Sequence, residues 1–428
     1  MADVKNVLVF PAGTEISFEI RSALSTSKFV KLYGATSVPC HAEFVYENCA
    51  EGVPYVDDPG FIDAINAIVD RWDIDYIYPA HDSALLTLTR EQARLHAAVV
   101  TSPLETVEIC RSKNRTYQFL AGADYLPRVY ANPNEVDHYP VFVKPSVGQG
   151  SEGAHLVHDR AELDAALAEG RELAICEYLP GKEMTVDCFT DRHGELRFVS
   201  PRSRDRIKAG ISVRSRLLPQ DAASEAVARD LNRRLRFNGA WFFQLKENAR
   251  GEVRLLEVAP RIAGTMGLVR NQGVNMPLLT LYNMWDSDVS ILTNGRELML
   301  DRCFISRFRS DIEYDRVYVD FDDTLVRNGK VNPVLIAFLY QARGKGKALF
   351  LLTKHRGDHM AELEKQCIAP NLFDEIIHME KGENKARCIS GRAIFIDDSF
   401  AERRQVRESC GIPVFDLDMV ESLLDWRV

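Results

Sequence analysis

Apolar positions along this chain switch between short continuous runs, a period of two and a period near 3.6, and the switches divide it into elements. Residues 4–10 form a compact apolar run of the sort that fills a buried parallel strand, and it stops at Pro11-Ala12-Gly13-Thr14. A helix is predicted over 15–24 and a second strand over 30–34. Phe61, Ile62, Ile65, Ile68, Val69 and Trp72 then recur at helical spacing, and residues 76–79 read as another strand, with Asp82 placed to cap the helix after it. This strand–helix alternation predicts a small doubly wound parallel sheet over roughly the first hundred residues. Such sheets host many functions, so this part of the chain announces none.

Further on, residues 141–157 read VFVKPSVGQGSEGAHLV: an alternating strand ending at Lys144, a glycine-rich loop with Gly148, Gly150 and Gly153, and a second short strand over 154–157. A GxGxxG spacing is contained here, but a dinucleotide turn needs a helix opening at those glycines, and the next helical pattern starts only near Arg160. The stretch is therefore a hairpin flap whose backbone N–H groups can approach phosphate oxygens, with Lys144 at its base. Lys113 begins the preceding helical segment, and taken alone it is a surface lysine. After the flap, a strand over 173–179 leads into a Pro180-Gly181 turn flanked by Glu177 and Glu183. Arg202, Arg204, Arg206, Lys208, Arg214 and Arg216 then gather around Gly210, which suggests either an anionic ligand or a solvated loop. Strands over 240–245 and 253–258 put Gln244 and Glu257 on one sheet face, directly before Arg261.

The pattern restarts after about residue 301. Strands over 317–319, 348–352 and 393–396 end at Asp320-Phe321-Asp322-Asp323, at Thr353 and at Asp397-Asp398-Ser399. Residues at the carboxyl ends of strands project into one mouth of an α/β sheet, where ligands bind. Between these motifs there is room for helices and one further strand around 376–379, but not for an inserted lid domain.

Composition narrows the class. The chain has 428 residues, 46% hydrophobic and 27% charged, enough for two or three folded domains. A net charge of −9 without a basic run argues against nucleic acid or an anionic membrane as partner. Nine scattered cysteines without a CxxC pair, no signal-peptide pattern and no membrane-length apolar run point to a cytoplasmic protein.

Lys113, the flap with Lys144, the Glu177-Tyr178-Leu179 hinge, Glu183 and the Gln244, Glu257, Arg261 set together resemble the ATP-grasp superfamily over roughly residues 1–300. The branch most similar includes carbamoyl-phosphate synthetase, biotin carboxylase and amino-acid ligases. The resemblance implies that Lys113, Lys144 and the glycines Gly148, Gly150 and Gly153 contact ATP phosphates. It further implies that Glu177 and the backbone of Leu179 bind adenine, and that Glu183 binds the ribose. Gln244 and Glu257 would hold Mg²⁺, and Arg261 would meet a phosphate or acyl phosphate. The family usually has an Asn two residues after the metal-binding Glu; here that residue is Ala259.

The last part resembles the haloacid dehalogenase superfamily over roughly residues 312–428. This implies Asp320 as nucleophile, Asp322 as general acid/base, Thr353 as phosphoryl-oxygen ligand, and Mg²⁺ held by Asp320, Asp322 and Asp397 or Asp398. The family's lysine is Lys385 or Lys381, with Lys385 favoured. The expected architecture is α/β and α+β, multidomain: a doubly wound pre-ATP-grasp domain (1–112), an ATP-grasp fold (113–300) and a capless, Rossmann-like haloacid dehalogenase-like domain (312–428). The expected function is a multifunctional enzyme using ATP and Mg²⁺. One part would be a ligase joining a small carboxylate to an amine or other nucleophile through an acyl phosphate, and the other a phosphatase or phosphotransferase. Two alternatives stand beside it: a carboxylase- or kinase-like enzyme that makes no amide, and a nucleotide-binding regulatory module, which Ala259 favours. Homo-oligomerisation is left open.

Overall fold

The computed structural model describes residues 3–148, 150, 152–208 and 210–427; Gln149 and Ser151 of the glycine loop and Ala209 beside Gly210 lie outside them. The chain forms two units, Met1–Phe304 and Ile305–Val428.

The first unit opens with five parallel strands in the order Cys49–Ala50, Val30–Ala35, Lys5–Phe10, Tyr76–Pro79, Ala98–Val99. The central strand is apolar on both faces because helices cover both. Val7 and Val9 pack in the core of helix Glu15–Leu24, while Leu8 and Phe10 pack with Phe61, Ile65 and Val69 of helix Phe61–Trp72. The periodicity therefore located these elements to within a residue or two.

An antiparallel sheet follows, in the order Val129–Tyr130, Leu173–Glu177, Val141–Pro145, His155–Val157, with Val141 facing Val157 in the glycine hairpin. A four-stranded antiparallel sheet completes the frame: Leu196–Ser203, Glu183–Thr190, Gly239–Glu247, Val253–Ala259. One of its faces is apolar, with Val186, Cys188, Trp241, Phe243 and Leu255 packed against Val227, Ala228 and Leu231 of helix Ala222–Arg234. The alternate positions form a polar row, because Arg202 pairs with Thr185, Thr185 with Gln244 and Gln244 with Glu257 across the four strands. A small ribbon of Arg206–Lys208, Ile211–Arg216 and Met299–Asp301 stands beside it.

The second unit is a five-stranded parallel sheet in the order Glu375–His378, Ala348–Thr353, Arg316–Val319, Ala393–Ile396, Val414–Phe415. Val317 and Val319 pack with Leu335, Phe338 and Leu339 of helix Pro333–Gly344 on one face, and Tyr318 packs in the core of Val406, from helix Phe400–Cys410, on the other. Between the first two strands in sequence, only a two-stranded ribbon and that helix intervene. No helix among the described residues is long and apolar enough to cross a membrane.

Candidate active sites

In the first unit, a cavity lies between the glycine-hairpin sheet and the polar face of the four-stranded sheet. Its lining includes Lys113, Lys144, Gly148, Gly150, Glu177, Leu179, Glu183, Gln244 and Glu257. Lys144 is only 8% exposed, and its ammonium donates to the Tyr117 hydroxyl at 2.8 Å and the Leu256 carbonyl at 2.9 Å. Burial above all, with the nearby Lys113 adding to it, pushes the Lys144 ammonium below its ordinary range. An anion placed in the cavity reverses that penalty.

Lys113 is set by a helix start. The Ser112 side chain accepts from the Arg115 N–H at 3.2 Å, and the Lys113 N–H donates to Ser146 O at 2.8 Å, tying helix Lys113–Phe119 to the end of the hairpin strand. The Lys113 ammonium lies 3.4 Å from the Gly148 carbonyl. Glu177 is fixed at its strand end because its carboxylate accepts from the Arg128 N–H at 2.9 Å. Glu183 has Arg204 at 2.6 Å and Lys246 at 3.8 Å.

The glycines are read differently once in place. Gly153 has φ +68°, and a Cβ there would meet the Pro145 ring at 3.0 Å. Gly150 (φ 62°) and Gly210 (φ 72°) approach so closely that a Cβ on Gly210 would sit 2.1 Å from the Gly150 carbonyl. Gly210→Ala must therefore displace the hairpin tip. We expect KM for the nucleotide to rise by about tenfold, with about 1 kcal/mol of backbone strain in stability, measurable by steady-state kinetics and thermal melting.

A second cavity shares Lys113, Gly148, Gly150, Arg204, Gly210, Gln244 and Glu257 with the first and continues toward the parallel sheet, where Arg202, Thr185, Ala259 and Arg261 also line it. Arg261 makes a fork with Asp82, 2.6 Å from each carboxylate oxygen. Burial pushes the Asp82 carboxyl up, but the Arg261 charge and hydrogen bonds outweigh it and hold it at about 2. Asp82 is thus a partner for Arg261 and not the helix cap: His81 caps helix Asp82–Arg90, its Nδ1 accepting from the Ser83 N–H at 3.2 Å. The basic cluster also divides. Arg202 and Arg204 turn into the cavity, whereas Arg206 and Arg214 both pair with Asp301 at the exposed ribbon.

In the second unit, the strand-end residues converge. The Lys385 ammonium donates to Asp320 Oδ1 at 2.5 Å and Asp397 Oδ2 at 2.6 Å, with all three side chains buried. Lys385 is placed by a short turn, Lys385–Cys388, capped by Asn384, while Lys381 is exposed. Asp320, Asp397 and Asp398 offer carboxylate oxygens within 4.8 Å of one another, the one such group of His, Cys, Asp or Glu found among the described residues. Asp322 stands apart from that trio, with its Oδ1 2.8 Å from His355 Nδ1. Thr353 is fully buried at the adjacent strand end, where its hydroxyl accepts from the His355 N–H at 3.0 Å. His355 and Tyr117 escaped sequence reasoning, since neither lies in a motif whose spacing marks it; Asp82 was noticed but given the wrong task.

Comparison with known proteins adds the fold. A family profile described as "ATP-grasp in the biosynthetic pathway with Ter operon" matches residues 169–298. The D-alanine–D-alanine ligase of Granulibacter bethesdensis is 26% identical over 144 residues, 33% of this chain and 42% of that enzyme, so less than half of that relative's length is matched. Biotin carboxylase of Campylobacter jejuni, solved as a complex with β,γ-ATP, superposes with a TM-score of 0.57 at 13% identity, covering 68% of this chain and 72% of its own. The L-amino acid ligase of Bacillus licheniformis superposes with a TM-score of 0.51 at 19% identity, covering 66% and 74%. These likenesses show an ATP-grasp fold of mixed α/β type.

Proposed function

We propose that this chain, which carries an ATP-grasp fold, is an ADP-forming ligase using ATP and Mg²⁺ to join a small carboxylate to an amine or other nucleophile. The observation that carries this is the shared wall: Lys113, Arg204, Gln244 and Glu257 border both cavities. A nucleotide in the first and an acid in the second meet there. Lys113 and Lys144 hold phosphate oxygens against the acid, so that the bond from the γ-phosphorus to the ADP oxygen breaks as a bond to the carboxylate oxygen forms. The nucleophile then attacks the acyl carbon and phosphate leaves with its electron pair. The oxygens of Gln244 and Glu257 suit Mg²⁺, which supplies charge neutralisation when bound. Glu177 and the Leu179 backbone serve the adenine, and Arg261, its charge matched by Asp82, orients the reacting acid. Glu183, with Arg204 at one carboxylate oxygen and Lys246 facing the other, binds the ribose hydroxyls.

The test is a screen of small acids and amines for product. ADP with phosphate supports the reading, and AMP with pyrophosphate overturns it. Glu257→Gln is expected to cut ADP release at least about 30-fold, since it replaces a charged Mg²⁺ ligand by a neutral one. Ala259→Asn is expected to match or exceed the parent. Equal Mg²⁺ dependence in both variants and the parent would place the metal elsewhere. Ala259 is also what favours the regulatory reading, in which nucleotide binds without turnover; it has the same position in the register as Phe242 across the strand pair and packs with it in the core.

We propose in addition that the second unit is a haloacid dehalogenase-type phosphatase. Asp320 attacks phosphorus and becomes the aspartyl phosphate, while Asp322, held by His355, protonates the leaving oxygen and later takes a proton from water. Thr353 and Lys385 receive the phosphoryl oxygens, and Asp320, Asp397 and Asp398 form a donor set suited to Mg²⁺.

A further inference from the structure

We infer that the acid bound in the second cavity carries a second anionic group, received by Arg202 and Thr185. This rests on the ligase reading and names its substrate class. Arg202 is 1% exposed and grips Asp187 through Nε (2.6 Å) and Nη2 (3.3 Å). That fork leaves Nη1, a buried atom with two N–H groups and no hydrogen-bond partner among the described residues. The Thr185 hydroxyl, on the residue directly opposite Arg202 across the strand pair, is likewise buried and without a partner among them. Buried polar groups in folded proteins are hydrogen-bonded almost without exception, and two adjacent exceptions lining one cavity mark where a ligand atom belongs.

The ligand atom is an acceptor. A guanidinium only donates, and charge-assisted bonds from it favour carboxylate or phosphate. It is not the nucleotide's phosphate: Arg202 and Thr185 line the second cavity alone, while Lys144, Glu177 and Leu179 line the first alone. Nor is it the carboxylate to be activated. The polar row runs Arg202, Thr185, Gln244, Glu257, so the backbone at Arg202 lies two strand spacings, about 10 Å, from that at Gln244. Arg261 and Arg204 at this cavity, like Arg202, each have a carboxylate partner, Asp82 and Glu183, so what sets Arg202 apart is its Nη1, unpartnered among the described residues. Arg302 adds a further cation to the lining, and burial pushes its guanidinium below the ordinary range.

The experiment is titration calorimetry on the full chain with Mg²⁺ and AMP-PNP. The probes are glutarate, its monoamide and 3-phosphonopropionate. We expect one or both dianions to bind at least about tenfold more tightly than the monoamide, the worth of one charge-assisted hydrogen bond set. Whichever dianion binds more tightly tells a carboxylate from a phosphate-type group. Thr185→Val keeps the side-chain shape and should erase about three- to tenfold of that preference while AMP-PNP binding is unchanged. Arg202→Met alone strands Asp187 in the interior, so the double variant Arg202→Met/Asp187→Leu is used, and it should abolish the preference. Binding of AMP-PNP with no difference between dianions and monoamide, or with no acid bound, overturns the inference and spares the nucleotide site. So does a Thr185→Val defect confined to AMP-PNP. Failure to bind AMP-PNP overturns both readings.

Discussion

Replacing Lys144 by methionine is expected to lower ADP release by about 10²–10³-fold, the usual scale for losing one preorganised donor at a site of developing charge. The side chain is suited to that role because it is fixed before any ligand arrives. The Tyr117 hydroxyl and Leu256 carbonyl hold the ammonium from one side, with the Tyr117 ring 5.4 Å away. A cation so held needs little reorganisation when a phosphate meets it. Methionine matches the stem in length and fills the same buried space, so the fold should lose only about 1–2 kcal/mol from the two broken hydrogen bonds. Melting temperature and ADP release are measured on the same preparation. If release stays within threefold of the parent in a folded variant, Lys144 does not clamp phosphate.

The strands carrying this site were legible as apolar runs broken by one or two polar residues. In 240–245, Trp241, Phe243 and Leu245 join one core, and alternation puts Gln244 on the opposite face. In 253–258, strict alternation would group Glu257 with Leu255, and a register shift that skips Leu256 returns Glu257 to the face of Gln244. The same rule makes Thr185 and Arg202 neighbours of that pair, but only once the order of the four strands is known, and period alone does not give strand order. The basic cluster shows the limit most clearly. Six cations around Gly210 look alike in sequence, yet Asp187 takes Arg202 inward and Asp301 takes Arg206 and Arg214 outward. Asp301 belongs to a three-residue strand too short for any periodicity to mark. Asp82 failed for a related reason: an acid at a helix start has a local use as a cap, and its partner Arg261 is 179 residues away. In the second unit a single capped turn buries Lys385 and leaves Lys381 in solvent, a difference that the spacing of the two lysines does not mark.

Asp320→Asn should abolish hydrolysis of p-nitrophenyl phosphate, at least about 10³-fold, because the amide has neither the charge nor the lone-pair reactivity of the nucleophile. The same change should not harm the fold, and this separation distinguishes a catalytic carboxylate from a structural one. Burial, first, and the neighbouring Asp397 push the Asp320 carboxyl up to about 7, against the pull of Lys385. Between the ordinary value of 3.8 and about 7, the unfolded chain has released a proton that the folded unit keeps. Stability without metal therefore falls as pH rises through that window. A divalent cation among Asp320, Asp397 and Asp398 removes the penalty, since it favours the ionised carboxylates. Thermal stabilisation by Mg²⁺ is accordingly expected to be larger at pH 8 than at pH 5.5. In Asp320→Asn both the pH slope and the Mg²⁺ effect should shrink, and the metal-free variant at pH 8 should melt at or above the parent. ADP release from the first site should be unaffected. A variant that melts well below the parent and keeps residual hydrolysis in proportion to its folded fraction would show that Asp320 serves as a partner for Lys385 and not as the group that attacks phosphorus.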